Sequence, residues 1–110
     1  MRGSMFKSIR LIKSRKIYNI SEIAELVAPI MKKYDIKKAY IFGSYARNEA
    51  KVNSDVDFLI EIGDTDMGWE FYNIIDELED VLNKKIDLVD TDCNDKFMSL
   101  IKKDLVKVYG

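Results

Sequence analysis

An α/β (α+β) fold, a small sheet with helices packed against it, is what this sequence predicts. Three observations carry that expectation. Two short runs, Ala39–Phe42 and Asp55–Ile62, have strand character; the stretches 21–34 and 68–83 repeat their apolar residues at helical spacing; and a third short apolar run, Ile86–Val89, follows the second of these. Strand and helix periods that alternate along a short chain indicate helices layered on one sheet. At 110 residues the chain fits one domain with a real core. A composition of 47% hydrophobic and 34% charged residues is that of an ordinary globular protein.

The elements follow in order. Met1-Arg2-Gly3-Ser4 precedes a second methionine, Met5, and reads as an expression leader, which leaves a single domain over 5–110. Phe6, Ile9 and Ile12 stand among Lys7, Arg10, Lys13, Arg15 and Lys16. This predicts a short basic amphipathic helix or arm, a solvated charged face rather than an RNA-binding patch. Ser21 is the expected N-cap of the next helix, with Glu22 and Glu25 in its first turn. Ile23, Leu26, Val27 and Ile30 form its apolar stripe, and Pro29 predicts a kink or restart before the helix ends near Tyr34. Asp35–Lys38 is then expected to turn into the Ala39 strand.

After Ile62, Gly63-Asp64-Thr65-Asp66 is turn chemistry. The helix over 68–83 should bury Phe71, Ile75, Leu78 and Leu82, with Ile74 and Val81 beside them. Its acidic side (Glu70, Asp76, Glu77, Glu79, Asp80) reads as a solvated face. Asn83-Lys84-Lys85 ends it, and Ile86–Val89 is a third strand carrying Asp87. Asp90–Asn94 reads as loop. Lys96–Asp104 reads as a last helix with Phe97, Leu100 and Ile101 inward, and Leu105–Tyr109 as an edge strand.

What is missing narrows the chemistry. There is no histidine, which removes Ser-His-Asp and Cys-His catalysis and argues against zinc. A single cysteine, Cys93, cannot form an internal disulfide, and a reducing, cytoplasmic setting is expected. No apolar run approaches the ~20 residues of a membrane helix, so no membrane association is expected. The net charge of −1 gives no general attraction to nucleic acid. Its distribution is uneven: residues 1–55 hold 12 basic against 5 acidic residues, and residues 56–110 hold 6 against 14. Such halves either satisfy each other on folding or present complementary surfaces to a partner.

The chemistry concentrates between Ala39 and Ile62. Side chains alternate along a strand, so Val56, Phe58, Ile60 and Ile62 share one face, and Asp55, Asp57, Leu59 and Glu61 the other. Two carboxylates that close raise each other's pKa unless compensated. A divalent cation compensates naturally, and oxygen ligands suit Mg²⁺ or Mn²⁺. Asp87 is a third acid on what should be the same sheet. Gly43-Ser44 lies at a strand end where a helix is expected to start. Glycine lets a backbone approach a phosphate, and helix N-termini bind anions. Carboxylates holding two metal ions opposite a phosphate-binding turn suit in-line attack on a nucleotide phosphate. From the residues alone this stays open: acid-rich strand ends are common, Gly-Ser is an ordinary turn, and Asp87 could be a plain surface residue.

The ordered spacing goes further. Gly43-Ser44, ten residues, then Asp55-x-Asp57 between apolar strands resembles the signature of the DNA polymerase beta nucleotidyltransferase superfamily. The run GSYARNEAKVNSDVDFLIEI resembles its minimal nucleotidyltransferase (MNT) branch, and the likeness extends from about Ser21 to the KKDLVKVYG tail. The resemblance implies a small mixed sheet with helices mainly on one face. It implies that Gly43 and Ser44 contact a triphosphate and that Asp55 and Asp57 ligate Mg²⁺ (two ions, with Mn²⁺ as a substitute). Asp87 would complete the second metal site and help deprotonate the acceptor. Arg47 would either approach the phosphates or pin the loop through a salt bridge, and Ser54 would cap the loop. Asn48 stands where this branch usually has glycine, and asparagine tolerates a left-handed backbone.

Such small nucleotidyltransferases resemble the antitoxin half of a toxin–antitoxin pair, in which AMP passes from ATP to a tyrosine of a HEPN-type toxin. The implied partners are ATP and that toxin, or a second copy of the chain, since a lone palm leaves its acceptor side open. Two rivals stand beside this expectation: a binding module that neutralises a partner by contact alone, and a small-molecule nucleotidyltransferase of the antibiotic-modifying type. Stable nucleic-acid binding is not expected.

Overall fold

The computed structural model describes residues 15–63, 67–92 and 94–110. The expected leader and most of the basic arm lie outside the described residues, as does Cys93. Among the described residues, three α-helices flank a four-stranded mixed sheet, the α+β arrangement expected from the sequence. The chain runs α1 (Ile20–Lys33), β1 (Ile36–Phe42), β2 (Val56–Ile62), α2 (Glu70–Leu82), β3 (Ile86–Asp90), α3 (Asp95–Ile101), a 3-10 turn (Lys102–Asp104) and β4 (Val106–Tyr109). Sheet order is β3-β2-β1-β4; β1 is antiparallel to β2 and β4, and β2 is parallel to β3. A parallel pair needs a crossover, and α2 supplies it.

The start of α1 departs from expectation. Its N-cap is Asn19, not Ser21: the Asn19 side chain accepts from the Glu22 N–H at 2.8 Å while Glu22 Oε1 accepts from the Asn19 N–H at 3.0 Å. This reciprocal box satisfies two otherwise orphaned donors at once. A cap at Ser21 would forgo that return bond from Glu22. The helix continues through Pro29 without restarting.

β1 begins three residues earlier than the apolar run suggested. Asp35 turns the chain with φ 58°, and Ile36 already pairs with Ile62. An irregularity in register between Ile36 and Lys38 hides the strand from a period-two reading, because it places both Ile36 and Ala39 inward.

The main core lies between α1, α2 and one sheet face. Ile23, Val27 and Met31 of α1 and Ile74, Leu78 and Leu82 of α2 meet Ile41, Val56, Phe58 and Ile60, all at 0% exposure. The acidic side of α2 is not merely solvated: Glu77 accepts from the Tyr34 hydroxyl and from Lys33 Nζ (2.8 Å), tying the two helices together. Burial, with the Glu77 carboxylate beside it, pushes the Tyr34 phenol up to about 12.

A smaller cluster covers part of the opposite face. Phe42, Leu59 and Ile101 are buried there with Phe97, Met98 and Leu105 packed against them. Phe97 meets the Phe42 ring edge-on at 5.8 Å. The inward stripe of α3 is therefore Phe97, Met98 and Ile101, and Leu100 is 70% exposed, contrary to expectation. On a helix this short, capped by Asn94, the face that meets the sheet leaves position 100 outside.

Candidate functional site

The site face is the one that carries Leu59. The parallel ladder sets Asp57 directly beside Asp87, and on the other side β1 sets Phe42 opposite Asp57. Asp55 precedes the first ladder residue, Val56, and its charge acts on Asp57. The structure thus pairs two of the three acids expected from the sequence, Asp57 and Asp87, and leaves Asp55 at the entry to the ladder. Asp55 and Asp57 are half-buried and Asp87 is exposed. Asp90, expected in a loop, is the last residue of β3, and its side-chain oxygen accepts from the Asp92 N–H at 2.6 Å.

Asp57 is the focus of the electrostatics. Burial, then the neighbouring Asp87 and Asp55 charges, push its carboxyl up to about 6 from 3.8, with Arg47 opposing. A carboxylate that is half desolvated among like charges needs a cation or a proton. Among the described residues, no three or more acidic or cysteine side chains are grouped closely enough to hold a metal ion by themselves. Mg²⁺ seldom uses such all-protein sites: it keeps several waters and takes one or two carboxylates plus substrate phosphates. The open acidic set fits that mode.

Gly43 closes the site from β1. Its φ is 75°, and a Cβ placed there would overlap Asp57 Oδ2 and lie 3.3 Å from its Cγ. Only glycine lets the backbone and that carboxylate come so close. Beyond it the chain does not start a helix, as the sequence suggested, but makes a single compact turn. Arg47 N–H donates to the Gly43 carbonyl (3.1 Å), Glu49 N–H to Ser44 (2.8 Å) and Asn48 N–H to Tyr45 (3.3 Å). None of these bonds uses the N–H of Ser44, Tyr45 or Ala46. Asn48 has φ 59°, the left-handed conformation that its place in the chain demanded. A residue in that conformation does not continue a right-handed helix.

Arg47 is engaged in ion pairs: Nε with Glu49 Oε1 at 3.0 Å and Nη1 with Asp104 Oδ2 at 2.9 Å. Of the two expectations for this residue, the structure displays the pinning contacts, while the charge still reaches Asp57. Ser54 caps the following loop as expected, its Oγ accepting from the Lys51 N–H at 2.8 Å.

Two residues of this region escaped the sequence reading. Tyr45 anchors the turn in the main core at 4% exposure, and its hydroxyl has no hydrogen-bond partner among the described residues. Burial raises the phenol, and the Tyr18 backbone N–H is close enough to oppose the shift without meeting hydrogen-bond geometry. A large aromatic within a small, polar turn was the available signal. An orphaned buried hydroxyl costs stability. Tyr45→Phe is therefore expected to keep the turn and raise the thermal midpoint, by up to about 1 kcal/mol of stability; calorimetry of the two proteins checks it.

The second is Lys84, 2% exposed, whose Nζ donates to the Val52 carbonyl at 2.6 Å. Extending the alternation of Ile86 and Leu88 back by one step puts residue 84 inward, a signal masked by the equally basic Lys85.

Residues 25–109 match the family described as polymerase beta, nucleotidyltransferase. The chain belongs to the polymerase beta nucleotidyltransferase family. Like its relatives it is a nucleotidyltransferase domain. A Methanocaldococcus jannaschii relative named "Putative protein adenylyltransferase MJ0435" is 45% identical over 71 residues, spanning 64% of this chain and 76% of its own. The fold is similar to that of a solved "putative minimal nucleotidyltransferase" (TM-score 0.69, 19% identity, 81% of this chain and 95% of that one). It is similar also to a chain of the complex described as tri-AMPylated Shewanella oneidensis HEPN toxin with MNT antitoxin (TM-score 0.66, 17% identity, 83% and 72% covered). In this nucleotidyltransferase no helix among the described residues is long and apolar enough to cross a membrane.

Proposed function

We propose that this nucleotidyltransferase is a Mg²⁺-dependent protein adenylyltransferase that moves AMP from ATP onto a tyrosine hydroxyl of a HEPN-type toxin, and so acts as the antitoxin. The observation that carries the chemistry is the ladder pairing of Asp57 with Asp87, with Asp55 two residues away and the Gly43 turn against Asp57. The names of its relatives support adenylyl transfer to protein, and the toxin complexes among its fold neighbours support the partner.

In this reading Asp55 and Asp57 hold Mg²⁺, with Mn²⁺ as a substitute, and Asp87 completes a second position. The bound ions would polarise the α-phosphate and neutralise the leaving pyrophosphate. Gly43 and Ser44 orient the triphosphate through backbone N–H groups and the Ser44 hydroxyl. Asp87, the most exposed of the three acids, would take the proton of the acceptor hydroxyl. Arg47 holds the turn through Glu49 and Asp104 and tempers the charge at Asp57. A cytoplasmic setting, where ATP and Mg²⁺ are abundant, belongs to the same reading.

The test is transfer of label from α-labelled ATP in a lysate of source cells, with Mg²⁺ and with Asp55→Asn as control. A labelled protein band that needs both Mg²⁺ and Asp55, with AMP located on tyrosine by mass spectrometry, is the expected result. Intact Mg²⁺-dependent ATP binding without a labelled protein would replace the protein acceptor with a small molecule. Loss of that binding as well would leave a module that works by contact alone.

A further inference from the structure

The ladder fixes Asp57 and Asp87 but not Asp55. Pairing of β2 with β3 begins at Val56 and Ile86, so Asp55 belongs to the loop rather than to the sheet. Its place depends on whatever holds residues 51–55. Two contacts do so. From within, Ser54 Oγ accepts from the Lys51 N–H at 2.8 Å and the Ser54 N–H donates to the Lys51 carbonyl at 3.0 Å. From outside, Lys84 Nζ reaches the Val52 carbonyl at 2.6 Å.

Lys84 is the one charged side chain that is fully buried among the described residues. Burying an ammonium costs several kcal/mol unless it is paired and hydrogen-bonded. The Val52 carbonyl is one of the groups that meet this ammonium, and where it sits gives the contact its consequence. Asn83, in a left-handed conformation (φ 55°), ends α2 and turns Lys84 inward, and the Lys85 carbonyl next to it accepts the Val56 N–H at 3.0 Å. Lys84 therefore spans from the entry of β3 to the loop that enters β2, the two chain segments that deliver all three acids. Asp57 is shifted by burial, Asp87, Asp55 and Arg47, so Lys84 acts through the backbone it holds rather than as a counter-charge to that carboxylate.

We propose that Lys84 is a positioning residue: by holding the Val52 carbonyl, its buried ammonium sets where Asp55 stands relative to the ladder-fixed pair Asp57 and Asp87. This rests on the reading that the three acids hold the divalent ion. Lys84→Met keeps the length and removes the donor.

The experiment is a Mn²⁺ titration followed by electron paramagnetic resonance, on wild type, Lys84→Met, Ser54→Ala and Asp57→Asn, with transfer activity measured across the same Mn²⁺ range. Lys84→Met is expected to weaken Mn²⁺ binding about 10–100-fold, as outer-shell supports of metal ligands do. Raising Mn²⁺ should restore most of kcat, with the KM for ATP at saturating metal little changed. A residue needed only for folding would lose activity that metal does not restore. Ser54→Ala loosens the same loop from the other side and should shift Mn²⁺ binding in the same direction by a smaller factor; this arm stands if Lys84→Met fails to fold. Wild-type Mn²⁺ affinity in Lys84→Met, or in Ser54→Ala should Lys84→Met not fold, overturns the proposal, provided Asp57→Asn has lost binding. Retained binding in Asp57→Asn overturns the metal reading itself.

Discussion

Asp57→Asn is expected to lower nucleotidyl transfer by more than the roughly 10–100-fold typical of outer-shell partners, because on the proposed reading it removes a direct metal ligand. The same substitution should make the metal-free protein more stable at neutral pH. The folded-state pKa of Asp57 lies at about 6, above the ordinary 3.8. A raised carboxyl pKa means that the folded state favours the protonated form. Its favourable contribution is complete below about pH 4 and is lost as pH rises through 6. At pH 7 the ionised group is therefore a burden, on the order of 1–2 kcal/mol once partial exposure is discounted. Asparagine keeps the shape and removes the charge. Thermal melts without metal should show a midpoint higher by roughly 5 °C at pH 7. Below pH 4 the two proteins should converge. An Asp57→Asn protein that still transfers, or that melts lower at neutral pH, would refute the role and the electrostatics respectively.

Gly43→Ala should produce the second large effect, by a different route. The added methyl would overlap Asp57 Oδ2, and the backbone there has φ 75°. The left-handed backbone costs roughly 1–2 kcal/mol with any side chain but glycine. The overlap itself is cheap to relieve, because a carboxylate can rotate away. That relief is what harms function: it moves Asp57 off the turn that faces it. Transfer should fall by about a hundredfold or more while the far-ultraviolet circular dichroism spectrum is retained, a drop of the size seen when a reacting group is misplaced by about 1 Å. Gly43→Ala with wild-type kcat would show that contact between turn and carboxylate is incidental.

Much of this arrangement was legible beforehand because it depends on period. Alternation along 55–62 put Asp55 and Asp57 on one face and Val56, Phe58 and Ile60 on the other; the structure agrees for Asp57 and the three apolar residues, while Asp55 precedes the ladder. Helical spacing found α1 and α2 to within a residue or two. Features that break period were hidden. The irregularity after Ile36 concealed the first half of β1, and the compact turn after Gly43 looked like a helix start because its first residues suit one. The capping of α1 by Asn19 rather than Ser21 turned on a return bond from Glu22 that residue preference alone does not rank. Leu100 was misplaced because a seven-residue helix is too short for its apolar pattern to define a face. Contacts between remote segments, such as Lys84 with Val52 or Arg47 with Asp104, follow from tertiary packing and leave no local trace.

The crossover between β2 and β3 has a consequence for when the acidic group comes into being. Asp55 and Asp57 are neighbours in any conformation of the chain, but Asp87 joins them only after α2 has docked and the parallel pair has zipped. Closing that long loop is an entropic cost that folding must meet before the third carboxylate arrives. On the proposed reading, in which these acids hold a divalent ion, folding adds Asp87 to the pair Asp55 and Asp57 that the unfolded chain already keeps close. A ligand that prefers the enlarged set shifts the folding equilibrium toward the native state as its concentration rises. Under this linkage the nucleotide and its metal would act as folding partners as well as reactants, holding together a sheet whose charged end resists assembly when empty-handed.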